Sequence, residues 1–356
     1  MPPIDAAPNL TTPTPPSTPT VPAIEIRETG GPDVLLPVDR PAPSAPGDGQ
    51  ILVQLAAAGV NFIDIYRREG RYPLPLPAVP GEEGSGTVLA VGPGVTRFAV
   101  GDRVAWTTVL GSYAGQVLVP EDKAIVVPDG IDMHTAAAAL VQGMTAHYLV
   151  NDSYRAQPGE TVLVHAAAGG VGLLLTQLLK RRDVRVLGTV SSPEKQKLAE
   201  ANGVDDVIRY DGDCDCDCDC DCDCGQDLAA EVRRLTAGEG VHAVYDGVGA
   251  ATFDASLDSL RRRGTLVLFG GASGPVPPVD VMRLLWGGSL TLTRPYLEHF
   301  RATAEEFTWR AGEVFAHIAD GTLRITIGGT YPLARARDAH ADLAARRTTG
   351  KLLLVP

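Results

Sequence analysis

The chain has 356 residues, enough for two hydrophobic cores, and carries a formal net charge of −12. That acidity argues against a nucleic-acid or anionic-membrane surface, and no apolar run approaches the ~20 residues needed to cross a bilayer. Half of the charge lies in one alternating tract, Asp213 to Cys224, which also holds all six cysteines. The rest of the chain therefore contains neither a disulfide framework nor a zinc site built on cysteine. The N-terminus lacks the basic and apolar regions of a secretory signal, so a cytoplasmic protein is expected.

Residues 1–20 form a Pro/Thr-rich leader, too poor in apolar residues to pack and expected to be disordered. Strands are predicted over 23–28, 34–38 and 50–60, then a short helix over 61–70 stopped by Gly70. After a proline-rich loop come strands at 86–91, 103–106 and 116–119, which makes this first part β-rich and barrel-like. A helix is predicted over 133–149. Strands (161–165, 184–189, 206–209, 241–246, 264–269, 289–294) then alternate with helices (171–182, 193–202, 227–236, 251–261, 279–285). Alternation of this kind predicts an α/β, Rossmann-type doubly wound parallel sheet. The tail reads as a helix (304–319), a strand (323–327), a helix (334–346) and a last strand (352–355). We expect it to return to the first domain, giving a discontinuous β-rich domain (21–145 and 299–356) and a nucleotide domain (146–298) with the Asp-Cys insertion at 211–225.

The stretch from Thr161 to Gln177 organises the chain. An apolar run ends at His165, Gly169, Gly170 and Gly172 punctuate a turn, and Leu173 to Leu179 has helical spacing. Strand, glycine turn and helix form the setting in which a pyrophosphate sits on a helix N-terminus, with free N–H groups and the dipole favouring anionic oxygens. The pattern is A-x-G-x-x-G, Ala167 standing for the usual first glycine, and a second strand follows at the βαβ distance. At the end of that strand, NAD-preferring enzymes place a carboxylate. Here the position is near Val190, followed by Ser191 and Ser192, with Lys195 one turn on, a pocket suited to a 2′-phosphate. Lys195 also reads as an ordinary solvated lysine and Tyr210 as packing at a strand end. The Asp-Cys tract reads first as a low-complexity surface loop, and second as a metal-capturing segment.

Five stretches carry a family resemblance: Gly59-Val-Asn-Phe-Ile-Asp-Ile-Tyr, Gly81-Glu-Glu-Gly-Ser-Gly-Thr-Val, His165-Ala-Ala-Ala-Gly-Gly-Val-Gly, Val244-Tyr-Asp-Gly-Val-Gly and Arg263-Gly-Thr-Leu-Val-Leu-Phe-Gly. Together they resemble the zinc-free quinone oxidoreductases, the group that includes zeta-crystallin, within the medium-chain dehydrogenase/reductase superfamily. Zinc-dependent members need a cysteine in the first domain and a histidine after the glycine where this chain has Gly81-Glu82-Glu83, so no metal site is expected. The resemblance implies a GroES-like catalytic domain, a Rossmann domain and NADPH as cofactor. It implies cofactor contacts from Gln142 and Thr145, the turn Ala168, Gly169, Gly170, Val171 and Gly172, and Phe269, Gly270, Ser273 and Arg294. Around the 2′-phosphate it implies Ser191, Lys195, Tyr210 and Arg346. Many relatives carry lysine where this chain has Gln142.

At the acceptor end the resemblance implies Asn61, Asp64, Tyr66 and Tyr72. On a helix Asn61 and Asp64 share one face, so both could face the nicotinamide or substrate, although a cap residue and a solvated charge are the ordinary readings. The implied reaction is hydride transfer from NADPH to a small quinone or conjugated carbonyl, resting on proximity and orientation. Asn61 and Tyr66 would orient carbonyl oxygens, and water can protonate the quinol anion. The alternatives are a 2-alkenal or enone reductase with Tyr66 or Tyr72 as proton donor, and a non-catalytic NADPH-binding sensor. A homodimer paired through strand 289–294 is also implied.

Overall fold

The computed structural model describes residues 19–210 and 227–356; most of the leader and the whole Asp-Cys tract lie outside the described residues. In chain order the first strands are β1 (Thr20–Glu25), β2 (Leu36–Pro41) and β3 (Gln50–Val60), followed by helix α1 (Phe62–Arg68). Then come β4 (Glu83–Val91), β5 (Arg103–Thr107), β6 (Gln116–Pro120), β7 (Ala124–Val126) and helix α2 (Met133–Tyr148). β1 starts three residues before the expected strand, because Thr20 to Pro22 pair with Asp39 to Pro41 of β2. Pairing with a neighbour thus overrides a composition that reads as leader.

The middle of the chain gives β8 (Thr161–Val164), α3 (Gly170–Lys180), β9 (Arg185–Val190), α4 (Pro193–Ala201) and β10 (Asp206–Arg209). It continues with α5 (Leu228–Leu235), β11 (Val241–Asp246), α6 (Phe253–Asp258), β12 (Leu260–Leu268), α7 (Met282–Trp286) and β13 (Thr291–Thr293). These strands form a six-stranded parallel sheet in the order β10-β9-β8-β11-β12-β13. Val162, Leu163 and Val164 of the central β8 are fully buried, as expected of a strand covered on both faces. β12 begins four residues early, since Leu260 already pairs with Val241 and the register slips before Ala243. That shortens the preceding helix to Phe253–Asp258.

The tail gives α8 (Ala304–Ala319), β14 (Ile327–Pro332), α9 (Ala336–Ala344) and β15 (Lys351–Val355). No strand forms at 323–326: Leu323 is buried and its N–H donates to the His317 carbonyl at 2.8 Å, so the strand starts only at Ile327. β15 pairs antiparallel with β3, and the second sheet runs β14-β15-β3-β4-β5-β7 with β6 also on β3. The molecule is thus a Rossmann-like parallel sheet joined to a GroES-like β-rich unit. In the parallel sheet the strand order reverses between β8 and β11, and the cleft opens above the carboxyl ends of these strands.

Candidate active site

The cofactor end of the cleft is built from backbone. After β8 the chain turns through Ala166 (φ 50°), and the Gly169 N–H returns to the Ala166 carbonyl at 2.8 Å. Gly169 is the N-cap of α3 and supplies no side-chain cap, so the first N–H groups of the helix remain available to an anion. A Cβ on Gly172 would stand 2.4 Å from the Ala166 carbonyl oxygen, and one on Gly170 would stand 2.1 Å from Gln142 Oε1. At Gly172 the obstacle is backbone and only glycine permits the approach, whereas at Gly170 the Gln142 side chain would have to move aside. Ala168 and Val171 complete the turn at the cleft wall. This uncapped, side-chain-free cradle fits a dinucleotide pyrophosphate.

At the end of β9, Ser192 caps α4 and Ser191 faces Lys195, whose Nζ donates to Ser191 Oγ at 2.9 Å and to the Arg346 carbonyl at 2.6 Å. Tyr210 and Arg346 line the same corner, and no carboxylate among the described residues lines it. That fits the 2′-phosphate of NADPH. Gln142 and Thr145 bond back to the Ala138 and Val141 carbonyls of α2 (both 2.6 Å) while lining the cleft with Phe269, Gly270 and Arg294. Ser273 lies outside the cleft wall. Its hydroxyl accepts the Ala251 N–H at 2.9 Å and donates to the Val248 carbonyl at 2.7 Å, so it shapes the loop.

The acceptor end is built from side chains. Asn61 is the N-cap of α1 and lines the cleft. Asp64 does not: it is 1% exposed, lies behind the wall, and Oδ2 accepts the Asn61 N–H at 2.9 Å as a capping box. The helix-face expectation places it wrongly, because Asn61 stands outside the helix and Asp64 reaches back to it. Behind Asp64 runs a directional chain. Arg68, a donor only, faces His340 Nδ1 at 3.3 Å, so His340 carries its proton on Nε2 toward the Tyr113 hydroxyl at 3.1 Å. Tyr113 in turn donates to Asp64 Oδ2 at 2.9 Å. Burial, aided by the nearby Glu82 charge, pushes Asp64 up to about 7. Burial, aided by Arg68, pushes His340 down to about 3.

Tyr66 and Tyr72 stack with ring centres 5.9 Å apart, and the Arg71 guanidinium lies 5.3 Å from the Tyr66 ring centre. The Tyr66 hydroxyl accepts the Gly271 N–H at 3.2 Å across the cleft, which leaves its own proton to donate. Burial raises the Tyr66 hydroxyl above its ordinary value, so it stays protonated. Glu82, where zinc-dependent members have histidine, pairs with Arg67, and burial raises its carboxyl. Among the described residues no group of three or more His, Cys, Asp or Glu could hold a metal ion.

Sequence reasoning missed Glu83, Tyr113, His340 and Lys351. Their signal is faint: a charged or polar residue inside apolar runs, as Lys351 stands at the head of Leu352–Val355. Lys351 Nζ donates to Asn61 Oδ1 at 2.6 Å and pairs with Glu83.

Residues 47–129 match the family described as alcohol dehydrogenase GroES-like domain, and residues 170–309 the one described as zinc-binding dehydrogenase. A quinone oxidoreductase of Pseudomonas aeruginosa is 45% identical over 94% of this chain and 99% of its own. A 2-haloacrylate reductase of Burkholderia is 37% identical over 94% of this chain and 98% of its own. A solved mycobacterial structure complexed with NADPH is 52% identical, covers 94% of this chain and 100% of its own, and superposes with a TM-score of 0.88.

Proposed function

Because the chain belongs to the quinone oxidoreductase family of the medium-chain dehydrogenase/reductase superfamily, we propose that it is an NADPH-dependent quinone reductase working without zinc. The observation that carries this reading is one cleft with a glycine cradle and Ser191/Lys195 corner at one end and Asn61 with two stacked tyrosines at the other. NADPH, when bound, supplies a hydride, and the acceptor leaves as quinol after taking one proton from water. The first turn of α3 holds the pyrophosphate, while Ser191, Lys195, Tyr210 and Arg346 hold the 2′-phosphate. Tyr66 and Tyr72 line the cleft and give a planar acceptor an aromatic wall. Asn61 and the Tyr66 hydroxyl donate to its carbonyl oxygens, where negative charge grows. Asp64 acts behind Asn61 as its cap. Water, not an obligatory side-chain acid, closes the proton balance.

Steady-state consumption of NADPH and NADH with para-quinones and 2-alkenals tests this. We expect quinone-dependent loss of NADPH, with NADH much slower. Tight NADPH binding without turnover of any acceptor would overturn it and leave a sensor. The second reading, an enone or 2-alkenal reductase, is favoured by the 37% identity to a 2-haloacrylate reductase and by the free Tyr66 proton. Turnover of alkenals alone would select it.

The protein is further proposed to be a cytoplasmic homodimer. β13 pairs only with β12 among the described strands, and in the helix that precedes it in the chain and at that helix's N-cap, Trp286 and Val281 are 78% and 71% exposed. Sedimentation at micromolar concentration checks this, a monomer being the contrary result.

A further inference from the structure

Behind Asn61 lies the ion pair Glu83–Lys351, with side-chain exposures of 0% and 3%. Burying two charges costs several kcal/mol per ion, and an apolar pair of similar volume would often hold β15 to β4 as well or better. Support of the sheet is therefore a poor reason for the pair. Its hydrogen bonds point to another. Lys351 Nζ donates to Asn61 Oδ1 at 2.6 Å and to Glu83 Oε2. Asn61 Nδ2 donates to the same Glu83 oxygen at 3.1 Å, and Glu83 Oε1 accepts the Val141 N–H at 2.7 Å.

An ammonium only donates and a carboxylate only accepts. The two charges therefore allow a single orientation of the Asn61 amide, with Oδ1 toward Lys351 and Nδ2 toward Glu83. The second Nδ2 proton has only the Gly59 carbonyl at 3.4 Å, a contact at the weak limit. It is the N–H left to donate a hydrogen bond to an acceptor oxygen. An ammonium on Oδ1 also polarises the amide and strengthens that donor.

We propose that Lys351, with Glu83 as its counter-ion, is a positioning residue that locks the Asn61 amide with Nδ2–H available to the acceptor's carbonyl oxygen. The lock is tied to the cofactor turn through the preceding residue. The Gly350 N–H donates to the Ala168 carbonyl at 3.1 Å, and Gly350 bridges Gly169. The inference rests on the proposed role of Asn61 in acceptor reduction.

The test uses the full chain carrying Lys351→Met together with Glu83→Gln, which leaves no unpaired buried charge, beside Lys351→Arg. With 1,4-benzoquinone the double variant is expected to lose roughly 10- to 100-fold in kcat, with KM and the NADPH Kd nearly unchanged. Lys351→Arg should recover most of the loss. A second readout needs no turnover: in the NADP⁺ complex, quinone should shift the Asn61 side-chain amide protons of the wild-type protein, and not those of the double variant. An unchanged kcat in the double variant overturns the inference while wild-type turnover leaves the quinone reading standing. Should the double variant not fold, the wild-type amide decides, since no shift on quinone addition overturns the lock. A wild-type protein that turns over no acceptor overturns the quinone reading, and the lock falls with it.

Discussion

The two ends of the cleft are made by different means. The cofactor end is contiguous backbone: Ala166 to Gly172 turn tightly, and the first turn of α3 offers its N–H groups. The acceptor end is a set of side chains drawn from distant segments. Asn61 is held by Asp64 from its own helix, by Glu83 from β4 and by Lys351 from β15, with Tyr113 and His340 behind. Backbone cradles depend on what is absent, a Cβ. Side-chain sites depend on long-range partners, and every partner buried for this purpose has a cost elsewhere.

Either end of the cleft can be disabled separately. The largest effect is expected from Gly172→Val, because its side chain meets backbone at Ala166 and Ala167, which cannot yield as a flexible side chain would. Stability should fall by about 3 kcal/mol, read by chemical denaturation. NADPH affinity should fall by more than ~100-fold, read by fluorescence titration. Asn61→Ala should do the reverse, lowering quinone kcat by roughly 10- to 100-fold with the NADPH Kd kept within a few-fold. If Asn61→Ala instead weakens NADPH binding as much as turnover, the two ends are not separable. Lys195→Ala should cost NADPH, and not NADH, about 10-fold in kcat/KM, since one charge-assisted phosphate contact is lost.

The smallest expected effect sharpens the acceptor side. Folding raises Asp64 from 3.8 to about 7, so its contribution to stability is fully present below 3.8 and is lost as pH rises through about 7. Folding lowers His340 from 6.5 to about 3, so its contribution is present above 6.5 and is lost as pH falls through about 3. In the wild-type protein the two opposite slopes largely offset each other between these limits, the folded state holding the proton on Asp64 and the unfolded state on histidine. Asp64→Asn should therefore expose a loss of stability toward acid, and His340→Gln a loss toward neutral pH. Each would approach ~1 kcal/mol per pH unit in denaturant titrations between about pH 4 and 7. Parallel slopes in both variants would show that the chain Arg68–His340–Tyr113–Asp64 does not hold its protons as assigned.

The same contrast explains what could be read in the sequence. Glycine spacing after an apolar run is a local signal, so the cradle and the doubly wound sheet were legible, as was α8 to its end residues. The corner at Ser191 and Lys195 was legible because a strand end and a helix start lie next to each other in the chain. Asp64 was placed on the wrong side, because the capping box that turns it back to Asn61 competes with helix-face geometry. Lys351 carried almost no signal. It stands 290 residues from Asn61, and a lone lysine before an apolar strand reads as a solvated end. Ser273 fits the local pattern, yet its hydroxyl is consumed by the Ala251 and Val248 backbone.

The most direct measurement is a single turnover: the protein is premixed with one equivalent of NADPH per chain, 1,4-benzoquinone is added, and nicotinamide absorbance is followed in wild type and Asn61→Ala. Rapid quinone-dependent loss is expected in the wild type, and a slow loss from an equally tight NADPH complex in the variant. NADPH that stays bound and reduced in the wild-type protein, or is oxidised equally fast in both, would contradict it.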